Sequence, residues 1–256
     1  MWRTILTMLL ALFLFPVATH GLWWQMQAHP LSYARADWSS AGLLPAARTV
    51  PEAVVHVMAG RTGRWKGIFA RHTWIVVKPE GASAYARYDV VGWGSALRTD
   101  AFPPDGRWYG NEPDVLLTLR GKAAERAIPR IQKAVAAYRY AERGAYVVWP
   151  GPNSNTFVAM VARDVPALAP ALLPTAIGKD FAWPFFAGTT PSGEGFQFSL
   201  GGLFGVAVGW VEGLEINVLG LVVGVDVRRP ALKLPGWGRI GWSPSPLDEP
   251  APTGSR

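Results

Sequence analysis

The chain has 256 residues, enough for one domain of ordinary size or two small ones, and it contains no cysteine. Half of its residues are hydrophobic and 17% are charged, which excludes a disordered, acidic or collagen-like protein. The lack of thiols excludes disulfides, thiolate catalysis and cysteine-ligated metal centres. The sequence contains no GxSxG, HExxH or phosphate-binding GxxxxGK[ST] motif, and we predict neither a metal nor a cofactor.

The net charge of +7 is concentrated in the centre of the chain. Residues 48–143 hold 16 Lys and Arg against 9 Asp and Glu, whereas the rest of the chain is balanced. A basic face of this kind can attract anionic lipid or a cell-wall polymer, although an ordinary solvated surface has the same composition. No nucleic-acid-binding motif accompanies the charge, so we do not expect a nucleic acid partner.

The N-terminus carries an apolar run at residues 5–17 that continues to Trp24 with few interruptions. Residues 4–24 just reach the roughly 20 residues of a membrane span, and Trp23 and Trp24 lie where interfacial aromatic residues are expected. The alternative is a secretory signal, but its small-x-small cleavage site is poor here. We therefore predict a membrane anchor, a single-pass location in the inner membrane and a main domain on the periplasmic side.

The predicted organisation is a membrane anchor followed by a mixed α+β domain with an antiparallel sheet. Its boundaries are an anchor at 1–24, a linker at 25–50, the domain at 51–241 and a disordered tail at 242–256.

Strand and helix signals alternate within the domain. Strands are predicted at 54–58, 72–78, 85–91 and 146–149, and the second and third of these are expected to form a hairpin. Apolar positions spaced three and four apart predict a helix over 121–141.

The C-terminal third is rich in glycine. Gly201, Gly205, Gly209 and Gly213 recur every fourth residue, which on a helix would form a packing face of small residues. The β-branched residues of 215–227 instead favour a buried β-hairpin with glycines at crowded positions. A segment that dips into a membrane is the alternative.

The segment WPGPNSNTF at 149–157 combines a break in regular structure with the start of a helix. Pro and Gly exclude regular structure at 150–152, and Asn153, Ser154 or Asn155 can cap a helix that continues towards residue 165. Ser154 is thus expected at or just before a helix N-terminus, where free amides favour negative charge.

His72 opens the strongest strand, and Asp89 lies on the neighbouring one. A serine hydroxyl is a poor nucleophile until a base removes its proton, so His72 is a candidate base for Ser154 and Asp89 a candidate to orient the imidazole. Alternation directs either Tyr88 or Asp89 towards His72, and the sequence leaves that choice open. The simpler interpretation is that Ser154 only caps its helix and His72 bonds a nearby loop.

Five further residues are candidates for oxyanion stabilisation or substrate binding. Asn153 and Asn155 flank Ser154, Trp93 lies in a long loop, and Lys179 and Asp180 follow a proline-rich turn. A surface ion pair is the alternative role for the last two.

Several motifs resemble an uncharacterised bacterial family catalogued as a domain of unknown function. They are HTW at 72–74, YDVVGW at 88–93, WPGPNSNTF at 149–157, TAIGKD at 175–180 and EINVLG at 215–220. This resemblance covers nearly the whole chain after the predicted anchor and implies no known activity.

Residues 153–157, NSNTF, also resemble the Asn-Cys-x-x-Phe segment of permuted papain-like domains of the lecithin retinol acyltransferase type. The resemblance implies a nucleophile at Ser154 and a base at His72. Serine replaces cysteine here, and a hydroxyl has a far higher pKa than a thiol. The domain is therefore either a serine variant or a binding domain that has kept the fold without the chemistry.

Three functions are compatible with these features. The first is a membrane-anchored hydrolase or acyl/peptidyl transferase of the cell envelope, acting on amide or ester bonds in peptidoglycan peptides or lipids. The second is a non-catalytic anchored binding module that uses the 149–157 loop, Trp93 and Trp108. The third is a structural membrane protein that packs through residues 198–227.

Overall fold

The computed structural model describes residues 2–30, 32–241 and 247–248. It contains two sheets of mainly antiparallel strands together with three α-helices, which confirms the α+β class. The predicted tail lies outside the described residues except for 247–248.

The first sheet has six strands in the order β13-β5-β1-β2-β3-β4. Antiparallel pairing of β2 with β3 confirms the predicted hairpin, whereas residues 146–149 form no strand, so that prediction was wrong. The strands are β1 (Val54–Arg61), β2 (Arg71–Lys78), β3 (Ala86–Val90), β4 (Leu97–Thr99), β5 (Asp114–Arg120) and β13 (Leu247–Asp248).

Two helices cover one face of the first sheet. They are α2 (Gly121–Ala136) and α3 (Ser154–Asp164). Ile128 and Ile131 of α2 and Phe157 of α3 pack with Val57 and Ile75 of the strands in one apolar core. The spacing of apolar residues in α2 produces this buried side, as the sequence predicted.

The N-terminal segment (residues 32–50) and the loop between β4 and β5 cover the opposite face, where Leu44 packs against Met58 and Trp74. Asp105 fixes them to each other, because its carboxylate accepts hydrogen bonds from the Ser40 hydroxyl and from the backbone N–H groups of Leu43 and Leu44. These hydrogen bonds hold the N-terminal segment against this face of the sheet.

The C-terminal third forms a second sheet of seven strands in the order β12-β11-β10-β9-β8-β7-β6. The glycine-rich region is therefore β-structure, and Gly205 and Gly209 lie where a Cβ atom would meet a neighbouring strand. The strands are β6 (Phe185–Thr189), β7 (Gly195–Leu200), β8 (Phe204–Gly209), β9 (Gly213–Val218), β10 (Leu221–Asp226), β11 (Ala231–Leu234) and β12 (Gly238–Gly241).

The N-terminal run forms the helix α1 (Trp2–Gln25), but the structure does not support the predicted membrane anchor. No helix in the described part of the chain is both long enough and apolar enough to cross a membrane. The last turns of α1 instead contact the folded domain. The Trp24 indole donates to the Arg64 carbonyl at 3.0 Å, and the Trp237 indole donates to the Thr19 hydroxyl at 3.0 Å.

Candidate functional site

A buried histidine, aspartate and arginine on the neighbouring strands β2 and β3 form a chain of charge-assisted hydrogen bonds. His72 Nε2 lies 2.7 Å from Asp89 Oδ1. Arg87 donates to the other carboxylate oxygen, Asp89 Oδ2, through Nη2 at 2.5 Å and Nε at 3.1 Å. All three side chains are almost fully buried.

Strand alternation brings these side chains together. Arg87 and Asp89 are two apart on β3 and therefore share a face. Asp89 is thus the residue directed to His72, while Tyr88 points into the core on the helical side. The Trp108 ring stacks on the His72 imidazole, with the ring centroids 3.6 Å apart and the planes within 2° of parallel.

The charges of this cluster determine which ring nitrogen carries the proton. Burial would raise the pKa of Asp89, but nearby His72 and Arg87 outweigh it and hold the pKa below its ordinary value. Burial lowers the pKa of His72, and Asp89 offsets only part of that effect. An ionised carboxylate only accepts hydrogen bonds, so neutral His72 donates from Nε2 and leaves Nδ1 as an unprotonated acceptor.

Ser154 is the first residue of α3, as the sequence indicated. Asn153 caps the helix: its Oδ1 accepts from the backbone N–H groups of Asn155 and Thr156 at 2.9 and 3.2 Å, and the Thr156 hydroxyl accepts from the Asn153 N–H. Gly178 makes room for this cap, since a Cβ atom there would lie 2.3 Å from Asn153 Nδ2.

The side-chain amides of Asn153 and Asn155 are fully used within the protein. Asn153 Nδ2 donates to the carbonyls of Val148 and Ile177, and Asn155 Nδ2 donates to those of Arg71 and Ile177. Neither amide keeps a free hydrogen for an oxyanion. The backbone N–H of Ser154 has no partner among the described residues and is the donor that remains.

His72 and Ser154 line the same cavity of about 490 Å³. Within the described chain no hydrogen bond joins them, and neither His72 Nδ1 nor Ser154 Oγ has a hydrogen-bond partner. Most of the wall is apolar. The other lining residues include Trp65, Phe69, Tyr146, Val148, Trp149, Ile177, Leu219 and Leu221.

Trp93, Lys179 and Asp180 do not line this cavity. Trp93 is 36% exposed and contacts the Trp108 ring, with 6.2 Å between centroids. Lys179 and Asp180 form an ion pair at 2.8 Å, and Lys179 also bonds Glu215 at 2.6 Å. The pair is buried against the second sheet rather than lying on the surface.

Two residues of the site were missed by sequence reasoning. Arg87 carried a usable signal, because it is two residues from Asp89 on a predicted strand. Tyr146 carried none, since it lies in an irregular segment and reaches the cavity only in the folded chain. Burial raises the pKa of the Tyr146 phenol, with Asp89 adding to the effect, so the phenol stays protonated.

No cluster of three or more His, Asp or Glu side chains in the described residues is arranged to hold a metal ion.

The family model of a protein of unknown function, DUF3750, matches residues 52–181. The chain belongs to this family. The resemblance to an uncharacterised family is thereby confirmed over residues 52–181, whereas the EINVLG motif at 215–220 lies outside the match and no papain-like relationship is shown. The matched region contains His72, Asp89 and Ser154 and ends before the second sheet begins. The chain has no significant match among curated proteins or among solved structures.

Proposed function

We propose that the cavity is the active site of a hydrolase or acyl transferase that uses Ser154 as its nucleophile. The observation that carries the proposal is the state of His72. Its Nε2 is held by an ionised carboxylate while Nδ1 is left without a partner, in a cavity that also contains a serine hydroxyl without a partner. A strand histidine followed by a serine at a helix start also resembles the permuted papain-like arrangement.

The proposed reaction is acyl transfer in two steps. Ser154 Oγ attacks the carbonyl carbon of an ester or amide while its proton passes to His72 Nδ1, directly or through one water. The imidazolium then protonates the departing alcohol or amine, and an acyl-enzyme remains. Water, or an acceptor alcohol or amine, attacks that ester with the same base and releases Ser154.

Three groups support the transition state in this scheme. The Ser154 N–H donates to the oxyanion at the helix N-terminus. Asp89 stabilises the imidazolium as it forms, and Arg87 keeps that carboxylate ionised. The Tyr146 phenol is a protonated donor at the cavity wall.

The cavity wall indicates the class of substrate. Aromatic and aliphatic side chains such as Phe69, Trp149 and Leu221 surround the polar groups. We therefore infer a substrate with an apolar acyl or aryl group next to its ester or amide bond.

Labelling of the full chain with a fluorophosphonate tests the proposal. We expect one adduct per chain, located on Ser154 by peptide mass spectrometry, and loss of that adduct in Ser154→Ala and in His72→Gln. Ser39→Ala serves as the control, because Ser39 lies on the N-terminal segment outside the cavity.

The pH dependence of labelling adds a readout that a merely structural histidine would not change. Because the pKa of His72 is lowered by burial, its deprotonated form persists below pH 6.5, the ordinary value. The labelling rate should therefore reach half its maximum below pH 6.5. A folded chain that labels nowhere, or that labels at another serine, would refute the proposal.

A non-catalytic binding module is the second candidate, and one observation favours it. Ser154 and His72 share the cavity without a hydrogen bond between them, as expected if the cavity only binds an apolar ligand. In that case long-chain esters and fatty acids should bind without turnover, and Ser154→Ala should bind them equally well.

A further inference from the structure

The second sheet has an inverted arrangement of polar and apolar side chains. In β7, β8 and β9 the residues that face the rest of the protein include Gln197, Ser199, Glu215 and Asn217, all buried. The outward side chains form three cross-strand rows of apolar residues. These rows are Phe196–Val208–Leu214, Phe198–Val206–Ile216 and Leu200–Phe204–Val218.

This outward face is large and continues across the sheet. Phe196, Leu200 and Val208 are each slightly more than half exposed, and Leu232 of β11 and Ile240 of β12 are exposed to a similar degree. Isolated apolar residues are ordinary on a protein surface, but a contiguous apolar face of this kind marks an interaction site.

The apolar face is continuous with the cavity of the candidate site. Leu221 begins β10 and lies in the same row as Val218, and it also lines the cavity together with Leu219. The turns at this end of the sheet contain Gly201, Gly202, Leu203, Leu219 and Gly220 and carry no charge. The helix α1 contacts β10 and exposes Leu14, Phe15 and Leu22.

We propose that this face docks on the surface of a lipid bilayer with anionic headgroups. The rows present no hydrogen-bonding side chain over three strands, whereas protein interfaces typically make about one hydrogen bond per 100–200 Å². A bilayer requires none. Exposed tryptophans lie at the margins, with Trp183 at 72% and Trp210 at 57% exposure, as is usual where protein meets the interfacial region of a membrane.

Charge complementarity supports anionic lipid. The sequence Arg64-Trp65-Lys66 forms an exposed turn beside α1, and Trp65 and Lys66 line the mouth of the cavity. A tryptophan between two cations can enter the interfacial region while the cations bind lipid phosphates.

Vesicle flotation of the full chain tests the proposal. We expect the chain to float with vesicles of phosphatidylcholine and phosphatidylglycerol and to bind more weakly to phosphatidylcholine alone. Phe196→Thr, Phe204→Thr and Leu232→Thr should each weaken binding by about tenfold, since each removes an exposed apolar side chain that would be buried in the bilayer on docking. Arg64→Gln and Lys66→Gln should each weaken binding to the anionic vesicles by about fivefold.

Matched controls separate this proposal from loss of folding and from the proposed catalysis. Leu43→Thr and Arg48→Gln change exposed residues of the N-terminal segment and should leave flotation unchanged. Ser154→Ala should float as the wild type does, because docking does not depend on the chemistry. The threonine variants keep a β-forming residue, and their circular dichroism should match that of the wild type.

Three outcomes would overturn the proposal. They are a wild-type chain that does not float with either vesicle, threonine variants that bind as tightly as the wild type, and a dimer in vesicle-free buffer that the same threonine variants dissociate. The last outcome would assign the face to a second copy of the chain.

Discussion

The first sheet buries apolar side chains against its helices, whereas the second sheet turns its apolar side chains outward and its charged ones inward. Val57 and Ile75 are fully buried in the first sheet, while Phe196 and Val208 of the second are about half exposed. Glu215 and Lys233 lie on the buried side of the second sheet instead. Both sheets alternate with a period of two, so alternation alone does not reveal which side becomes the interior.

The two regions also use buried charge differently. In the first sheet the Arg87–Asp89–His72 cluster ends at a ring nitrogen that borders a cavity. In the second sheet Glu215 bonds Lys179 at 2.6 Å and Lys233 at 2.5 Å, so each charge meets a partner within the protein. The first arrangement leaves one ring nitrogen of His72 without a hydrogen-bond partner among the described residues, whereas the second joins parts of the fold.

Asp89→Asn should have the largest effect on stability. The change leaves the Arg87 cation buried beside a neutral amide, and breaking a buried ion pair costs about 3–5 kcal/mol. Urea unfolding monitored by tryptophan fluorescence measures the loss. Asp114→Asn, which removes the more exposed partner of Arg71, should cost less than about 1 kcal/mol. A comparable loss in both variants would contradict the assignment of Asp89 as the buried counter-ion.

Glu215 should make the stability of the protein depend on acidic pH. Burial would raise its pKa, but Lys179 and Lys233 outweigh burial and lower it from 4.5 to about 2. A carboxyl with a lowered pKa in the folded state stabilises the fold fully above pH 4.5 and loses that contribution as the pH falls towards about 2. The free energy of unfolding should therefore fall over this range.

The variant Glu215→Gln isolates this dependence. It should be less stable at neutral pH by about 3 kcal/mol, because two buried ammonium groups lose their carboxylate. Its stability should also fall less steeply below pH 4.5 than that of the wild type. Glu194→Gln, at an exposed position just before β7, should keep the wild-type slope. An unchanged slope in Glu215→Gln would show that another group causes the acid loss.

A valine-to-threonine substitution made in each sheet tests the opposite orientation of the two sheets. These are the smallest expected effects among the predictions. Val57→Thr places a hydroxyl in the first core and should cost about 2 kcal/mol. Val208→Thr, at a residue 53% exposed on the outward face, should change the free energy of unfolding by less than about 0.5 kcal/mol. Equal losses in chemical denaturation would show that the outward face is covered within the chain itself.

The part of the candidate site that the sequence predicted is local. Pro and Gly before Asn153 predicted a helix start at Ser154, and the predicted hairpin of adjacent strands predicted that Asp89 would lie close to His72. Whether Tyr88 or Asp89 faces His72 depends on the register between β2 and β3. That register depends on the geometry of the connecting turn, which cannot be read from the sequence. Tyr146 and the wall formed by Leu219 and Leu221 come from irregular or distant segments and had no local signal.

The N-terminal helix α1 shows the opposite limit. Its apolar composition predicted a helix, and a helix formed, but the same composition also suggested a membrane anchor. The decisive contacts are between distant residues: the Trp24 indole bonds the Arg64 carbonyl, and Trp237 bonds Thr19. Composition measures how apolar a segment is and cannot state which surface that segment will pack against.

The sequence by itself predicted the helices, three of the six strands of the first sheet and the helix start at Ser154, and it favoured β-structure at 215–227, because these features depend on neighbours within a few residues. Tertiary structure decided which nitrogen of His72 is free, which residues surround it and which face of the second sheet meets solvent. Those properties depend on burial and on the pairing of charges, and both arise only when distant segments come together.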